Sequence, residues 1–159
     1  MLLSGLQIML ETVINHIRNH SYMSGVERDR LRVKETEEIF TPTTVVNECL
    51  DLLQSQNPDC FKDPTKTFID NSCGDGQFLG EVLIRKIENG IDFETALSTI
   101  YGVDIMSDNV ELCRKRLLCG EEHLRHIVEK NIVCHDALTY DYLFGEPEIF
   151  GPNDLFEIS

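Results

Sequence analysis

Three short apolar runs, each ending on or beside an aspartate, alternate with helix-like segments along this chain. The runs are residues 67–70, 99–105 and 131–136. Their aspartates are Asp70, Asp104 and Asp136. Strands that alternate with helices predict a parallel sheet, and the carboxyl ends of parallel strands meet at one edge of it. We therefore expect an α/β fold whose sheet runs in the order three, two, one, with the three acids gathered at one edge.

The first twenty residues carry an apolar side chain at every third or fourth position, which predicts an amphipathic helix. The positions are Leu3, Leu6, Leu10, Val13 and Ile17. Either core packing or a dimer seam explains such a face. A polar, charged linker follows, so we divide the chain into residues 1–34 and an α/β domain at residues 35–159. At the start of that domain Thr41 and Pro42 predict a helix, with Thr41 as its cap.

A glycine turn, Gly74–Gly76, follows the first run and leads directly into a helix predicted from Gln77. Glycine permits a tight turn and a close approach of backbone to ligand, and the helix N-terminus directs its N–H groups to the same place. Asp104, one strand over, can accept hydrogen bonds from two vicinal ribose hydroxyls. An acid after the third strand can accept one from an adenine amino group. These features favour a cofactor that contains adenosine.

The spacing of these residues disfavours NAD. The dinucleotide fingerprint Gly-x-Gly-x-x-Gly is not met, because the next glycine is Gly80, four residues past Gly76. The ribose acid also comes about a dozen residues later than that motif expects. Asp70 beside the turn would repel a pyrophosphate, whereas it suits the cationic amino group of a methionine moiety. S-adenosylmethionine (SAM) fits these residues better than NAD does. Another adenine nucleotide is a further alternative.

Composition limits the partners and the compartment. The chain has 14 Lys and Arg against 28 Asp and Glu, a net charge of -14, so a globally basic surface for nucleic acid is excluded. Six cysteines without a CxxC pair or an export signal predict reduced thiols in a cytoplasmic protein, and the N-terminus fails as a membrane span. The histidines lack the spacing of metal ligands, so we expect no metal site.

Four segments also stand in a characteristic order. They are Phe40–Pro42, Asp70–Leu79, Gly102–Ile105 and Asn131–Leu138. In this order they resemble the motifs of adenine-N6 DNA methyltransferases, a family of class I SAM-dependent methyltransferases, over about residues 35 to 140. The chain also resembles the short methyltransferase-like proteins that phages encode. The resemblance implies a Rossmann-like SAM-binding domain that is incomplete and carries the cofactor-binding half.

The resemblance assigns site residues by position. It implies that Phe40 and Thr41 flank the cofactor, and that its methionine part is surrounded by Asp70, Cys73, Gly74 and Gly76. It also implies that Asp104 holds the ribose and that Ile105 packs on the adenine. Asp136 and Ala137 would meet the polar edge of the adenine. The thiol of Cys73 is expected to be structural. Asn71 departs from the family, which commonly has proline at that position.

A second departure concerns catalysis. Amino-methylating members of the family carry Asp or Asn, two prolines and an aromatic residue after the fourth strand, and this sequence contains no Pro-Pro. It also lacks the Pro-Cys of cytosine-C5 enzymes. We therefore assign no catalytic residue. Three hypotheses stay open: a DNA adenine methyltransferase whose catalytic and DNA-reading parts come from another chain or an unusual tail, a non-catalytic SAM-binding or regulatory module, and an adenine-nucleotide binder of another class.

The first strand is expected at an edge of the sheet, where the missing fourth strand would pair. An apolar edge invites aggregation unless something covers it. The candidates are the segment Leu155–Ile158, the N-terminal helix and a second subunit. We favour a homodimer.

Overall fold

The computed structural model describes residues 4–19 and 41–146. The helices are α1 (Gly5–Asn19), α2 (Thr43–Gln56), α3 (Gln77–Glu88), α4 (Phe93–Ser98), α5 (Ser107–Leu118) and α6 (Arg125–Asn131), with a 3₁₀ turn at Glu122–Leu124. The strands are β1 (Phe68–Asp70), β2 (Ile100–Asp104) and β3 (Ile132–Cys134). The predictions for Phe40, Leu3 and Leu155–Ile158 lie outside the described residues.

The three strands form one parallel sheet in the order β1-β2-β3. Asp70 pairs in register with Gly102, and Asp104 pairs with Cys134. The predicted α/β class, parallel sheet and strand order are therefore confirmed, and the small sheet with its helices is compatible with a Rossmann-like fragment. Within the described residues β1 pairs with β2 alone, so it is an edge strand as expected.

One face of the sheet packs tightly against α3. Gly102 allows this approach, since a Cβ at that position would lie 2.9 Å from Leu79 Cδ1 and 3.0 Å from Cys73 Sγ. Ile100 and Ile132 point to the same face and are buried. Burial of each such aliphatic side chain contributes about 1.5–3 kcal/mol. This packing fixes the glycine turn, which precedes α3, against the end of the sheet.

The opposite face of the sheet is covered by the loop that follows β3. Tyr101 and Val103 alternate with Gly102 and so point to this face. The ring of Phe144 lies 4.7 Å from the ring of Tyr101, and both Phe144 and Val103 are buried. On the edge strand Ile69 remains 54% exposed. The loop therefore protects the middle of this face and leaves the β1 side open.

Helix α1 joins the core through its C-terminal half. Val13 and Ile17 are buried in the same cluster as the side chains of α3 and α5, whereas Leu6 is 57% exposed. Arg18 binds the Glu81 carboxylate of α3 through two hydrogen bonds of 2.9 and 2.8 Å. Core packing therefore accounts for the last two turns of the apolar face.

The start of α2 differs from the sequence prediction. Pro42 occupies the position before α2, so Thr41 lies one residue further out, and no side-chain hydrogen bond caps the helix. Proline suits this place because its missing N–H would have no partner within the helix. The start of α5 lies at Ser107, after Met106, whose N–H is bound by Asp104.

Across residues 4–19 and 41–146, every helix is too short or too polar to cross a bilayer. All six cysteines lie in these ranges, and each is a free thiol.

Candidate functional site

The strand-end site, as we define it, comprises Asp70, Asp104 and Asp136 with the glycine turn and the residues beside them. Asp70 is the last residue of β1, and its Oδ1 accepts a hydrogen bond of 3.0 Å from the N–H of Ser72. This bond turns the chain away from the strand direction. The turn that follows is closed by the Gly76 N–H, which donates to the carbonyl of Cys73 at 2.9 Å.

The two glycines of the turn have different roles. Both have a positive φ, +54° at Gly74 and +92° at Gly76, a region that L side chains rarely adopt. A Cβ at Gly76 would lie 2.9 Å from Cys113 Sγ of α5, whereas a Cβ at Gly74 would meet no atom within 4 Å. Gly76 therefore permits the packing of the turn on α5. At Gly74 the space beside the Cα is open.

Asp104 connects the ends of β1 and β2. Its Oδ2 accepts a hydrogen bond of 3.0 Å from the Gly74 N–H, and its Oδ1 accepts one of 2.8 Å from the Met106 N–H. The buried Asn109 lies within 3.4 Å of the same Oδ1 through its Nδ2. A carboxylate oxygen has two lone pairs, and Gly74 is the donor recorded on Oδ2 among the described residues. This oxygen therefore has capacity for a donor from a ligand.

Asp70 and Asp104 are close enough to interact electrostatically. Burial raises the pKa of Asp70 above its ordinary value, the Ser72 N–H lowers it, and the charge of Asp104 raises it again. Within the described residues neither carboxylate forms an ion pair with a Lys or Arg. A cationic ligand group at this place would relieve the repulsion between the two carboxylates.

The third acid lies beyond its strand. The sequence predicted a strand at residues 131–136, but β3 ends at Cys134, two residues before Asp136. The N–H of His135 donates to the carbonyl of Asp104 at 3.0 Å, which keeps the chain beside the end of β2. The exposed Asp136 then accepts the Leu138 N–H at 2.9 Å and stabilises its own turn. Asp136 therefore lies near the end of β2, but its carboxylate is bound by an N–H of its own turn.

Ile105 and Ala137 differ in exposure. Ile105 follows Asp104 directly and is 66% exposed, which leaves an apolar side chain open beside Asp104. Ala137 is half-buried, and its carbonyl accepts a hydrogen bond of 2.7 Å from the Tyr142 hydroxyl. The exposed Ile105 is the one that could pack against a planar ring.

Cys73 faces the core. Its N–H donates to the carbonyl of Val103 at 3.0 Å, and its side chain is 4% exposed. A hydrogen bond with Cys113, then burial and the nearby acids, raise the pKa of the Cys73 thiol far above its ordinary value. The thiol therefore stays protonated, and Cys73 contributes its backbone to the turn rather than a reactive sulfur.

The start of α2 lies near the start of α3. Thr43, the first residue of α2, lines a small cavity together with Gln77, the first residue of α3. Thr41 is half-buried two residues earlier, and no hydrogen bond between described residues joins it to the strand-end site. Within residues 4–19 and 41–146, the predicted site residues that the structure brings together are thus those of β1, the turn and β2.

Sequence reasoning missed a buried ion pair beneath the turn. Asp75 lies between the two glycines and is 3% exposed, and its Oδ2 is 3.4 Å from Nη2 of Arg116, which is also 3% exposed. Arg116 lies three residues after the buried Cys113 on α5, so helical periodicity places a charge on the apolar face. That charge was the signal for a buried acidic partner.

The described residues contain no group of His, Cys, Asp and Glu side chains that could hold a metal ion. No family model, curated protein or solved structure matches this chain.

Proposed function

We propose that this chain is a SAM-dependent methyltransferase-like protein, of the type that methylates adenine N6 in DNA, with SAM bound at the carboxyl ends of β1, β2 and β3. The observation that carries the proposal is the pair of neighbouring carboxylates, Asp70 and Asp104, beside a glycine turn that has open space at Gly74. Their arrangement supports a ligand that is cationic at one end and carries hydroxyl donors further along.

The chemistry of the side chains at this site fits SAM better than a nucleotide. SAM would supply an electrophilic methyl group on a sulfonium, and its ammonium group suits the carboxylate of Asp70. Oδ2 of Asp104 has capacity to accept a ribose hydroxyl. The exposed Ile105 offers an apolar surface for the adenine. A pyrophosphate at the same place would face two carboxylates, which makes an adenine nucleotide the weaker candidate.

The alternative is a non-catalytic SAM-binding or regulatory module. It is favoured by the absence of a Pro-Pro sequence in these 159 residues. If the chain does take part in DNA methylation, the groups that hold the target base come from another chain or from a tail of unusual sequence. With a charge of -14, contact with DNA would also need a partner. We expect the protein to act in the cytoplasm.

Calorimetric titration with SAM, NAD and ATP tests the cofactor. We expect saturable binding of SAM and none of NAD or ATP. Binding of NAD or ATP without SAM would establish the nucleotide alternative, and binding of none of the three would contradict a working site in this chain.

The variant Asp104→Ala tests the site itself. It should weaken SAM binding by about 1–3 kcal/mol, since a charged acceptor of hydrogen bonds is lost. Circular dichroism must show that the variant is folded, because Asp104 also holds the N–H groups of Gly74 and Met106. Glu129→Gln, an exposed carboxylate on α6, is the matched control and should bind as the wild type does. Unchanged affinity in Asp104→Ala would remove Asp104 from the site.

Transfer of labelled methyl from SAM to unmethylated DNA separates the two functions. Label recovered as N6-methyladenine would exclude the non-catalytic module. Binding of SAM without transfer, with the protein alone and with its purified partners, would exclude an active enzyme.

A further inference from the structure

The glycine turn packs against α5. Arg116 of α5 reaches the turn with its charged end, 3.4 Å from the Asp75 carboxylate, and with its aliphatic part. Its Cδ lies 3.4 Å from the position of a Cβ at Gly76 and 3.3 Å from that at Gly80. One side chain therefore contacts both the turn and the first turn of α3.

Helix α1 closes over this arrangement. Ile17 Cγ2 lies 2.8 Å from the position of a Cβ at Gly80, on the helix turn that Arg116 also contacts. Ile17 and Arg116 line the same small cavity. The ring of His16 is 3.0 Å from the carbonyl of Lys115, the residue before Arg116. The contacts of α1 thus keep the ion pair away from water. The attraction between the two charges is stronger in these dry surroundings than it would be in water.

The ion pair lies one residue from the atoms that form the strand-end site. Asp75 is adjacent to Gly74, whose N–H is bound to Asp104. Its carboxylate points away from that site toward α5, because it meets Arg116. A shift of Asp75 would move the Gly74 N–H relative to Asp104 and alter the open backbone that faces a ligand.

We propose that Arg116 is a positioning residue of the strand-end site: its ion pair with Asp75, closed over by α1, holds the glycine turn in the geometry that binds the ligand. The role rests on the proposed function, since it concerns affinity for SAM. Buried ion pairs contribute little net stability compared with apolar replacements, and in some proteins they fix the relative position of the elements they join. We therefore expect that removing the ion pair weakens the affinity for SAM without lowering the stability of the fold.

The test is the double variant Asp75→Asn with Arg116→Met, which removes both charges of the pair. We expect a melting temperature close to that of the wild type, a SAM Kd raised about tenfold, and faster hydrogen exchange of the amides at residues 74–76. The matched control is Asp51→Asn with Arg85→Met, which removes an ion pair of 2.7 Å between α2 and the other end of α3. The control should leave the Kd and exchange at the turn unchanged.

Two outcomes would overturn the proposal: an unchanged Kd in the folded double variant, or turn exchange no faster than in the control. If the double variant does not fold, Arg116→Lys keeps the charge but shortens the reach, and the same exchange comparison decides. Should wild-type protein fail to bind SAM, the proposed cofactor is wrong, while exchange at residues 74–76 still decides whether Arg116 positions the turn.

Discussion

Burial and the charge of Asp104 raise the pKa of Asp70, so the folded chain holds a proton there more tightly than the unfolded chain does. A carboxyl whose pKa is raised on folding costs stability when it is ionised, and that cost is fully present above the folded pKa. Stability therefore falls as pH rises from the ordinary pKa to the raised one. The same carboxylate is the group that would bind a cationic ligand.

Asp70→Asn should therefore stabilise the protein at neutral pH by about 0.5–2 kcal/mol, as substitutions at functional residues often do. The amide oxygen can still accept the Ser72 N–H. The gain should disappear below about pH 3, where the wild-type carboxyl is protonated in both the folded and the unfolded state. Thermal unfolding at the two pH values measures this, with Glu129→Gln as the exposed control. A gain that does not depend on pH would show that the charge is not its cause.

The two turn glycines provide a matched pair of variants. Gly76→Ala should cost about 2–4 kcal/mol, because the added Cβ combines a left-handed φ with a contact on Cys113. Gly74→Ala should cost only about 1–2 kcal/mol for the backbone, since its Cβ enters open space. Denaturant unfolding measures both, and the milder variant should nevertheless lose SAM binding. Equal losses of stability in the two variants would mean that α5 shifts to accommodate the methyl group added at Gly76.

At the scale of elements, the sequence predicted those parts of the fold that repeat. Apolar spacing placed α1, α3 and β2 within a few residues, because a helix or strand with one buried face imposes a period. The end of β3 was predicted too late, since the stretch to Asp136 is shaped by a backbone bond between His135 and Asp104 that no local pattern encodes.

Long-range polar contacts in the core were not predictable in this way. Lys86 lies on α3 among apolar positions and is completely buried, and its Nζ donates to the Lys66 carbonyl and to Thr99 Oγ1, both at 2.6 Å. Partners so far apart in sequence have no fixed spacing. The strand-end site was found because glycines and acids at strand ends are local signals, whereas Arg116 was missed because its partner is 41 residues away.

The packing of α1 on α3 can be tested at Gly80. Alanine is favoured over glycine in a helix by about 1 kcal/mol, but here its Cβ would lie 2.8 Å from Ile17 Cγ2. We expect Gly80→Ala to destabilise the protein by about 1–3 kcal/mol. In an Ile17→Ala background, which lacks the opposing methyl, the same change should be neutral or stabilising. Additive effects in this double-mutant cycle would contradict direct contact between the helices.

For the whole molecule, the uneven cover of the sheet has the largest consequence. Helices protect one face, while beside the edge strand Thr67, Ile69, Tyr101 and the loop of Leu143 and Phe144 line a cavity of about 360 Å³. An apolar edge strand that no other described strand pairs with is a site for pairing with another chain. The homodimer expected from the sequence remains a prediction.

Sedimentation velocity over a range of protein concentrations tests that prediction. We expect a dimer for the wild type and a monomer for Ile69→Lys, because a charge on an edge strand opposes pairing. The monomer itself should keep its stability, since Ile69 is already 54% exposed. Leu52→Lys, an equally exposed leucine on α2, is the matched control and should remain dimeric. A wild type that stays monomeric throughout would show that a second copy does not cover the edge.

The order of the strands also bears on how the chain is made. Within residues 4–19 and 41–146, β2 pairs with β1 and β3 pairs with β2, so each of these two strands pairs with the strand that precedes it in sequence. Domains fold during synthesis from the N-terminal side, and local pairing shortens the loops that must close. The sheet can therefore grow one strand at a time as the ribosome releases it, with the aspartates of β1 and β2 aligned before β3 has emerged.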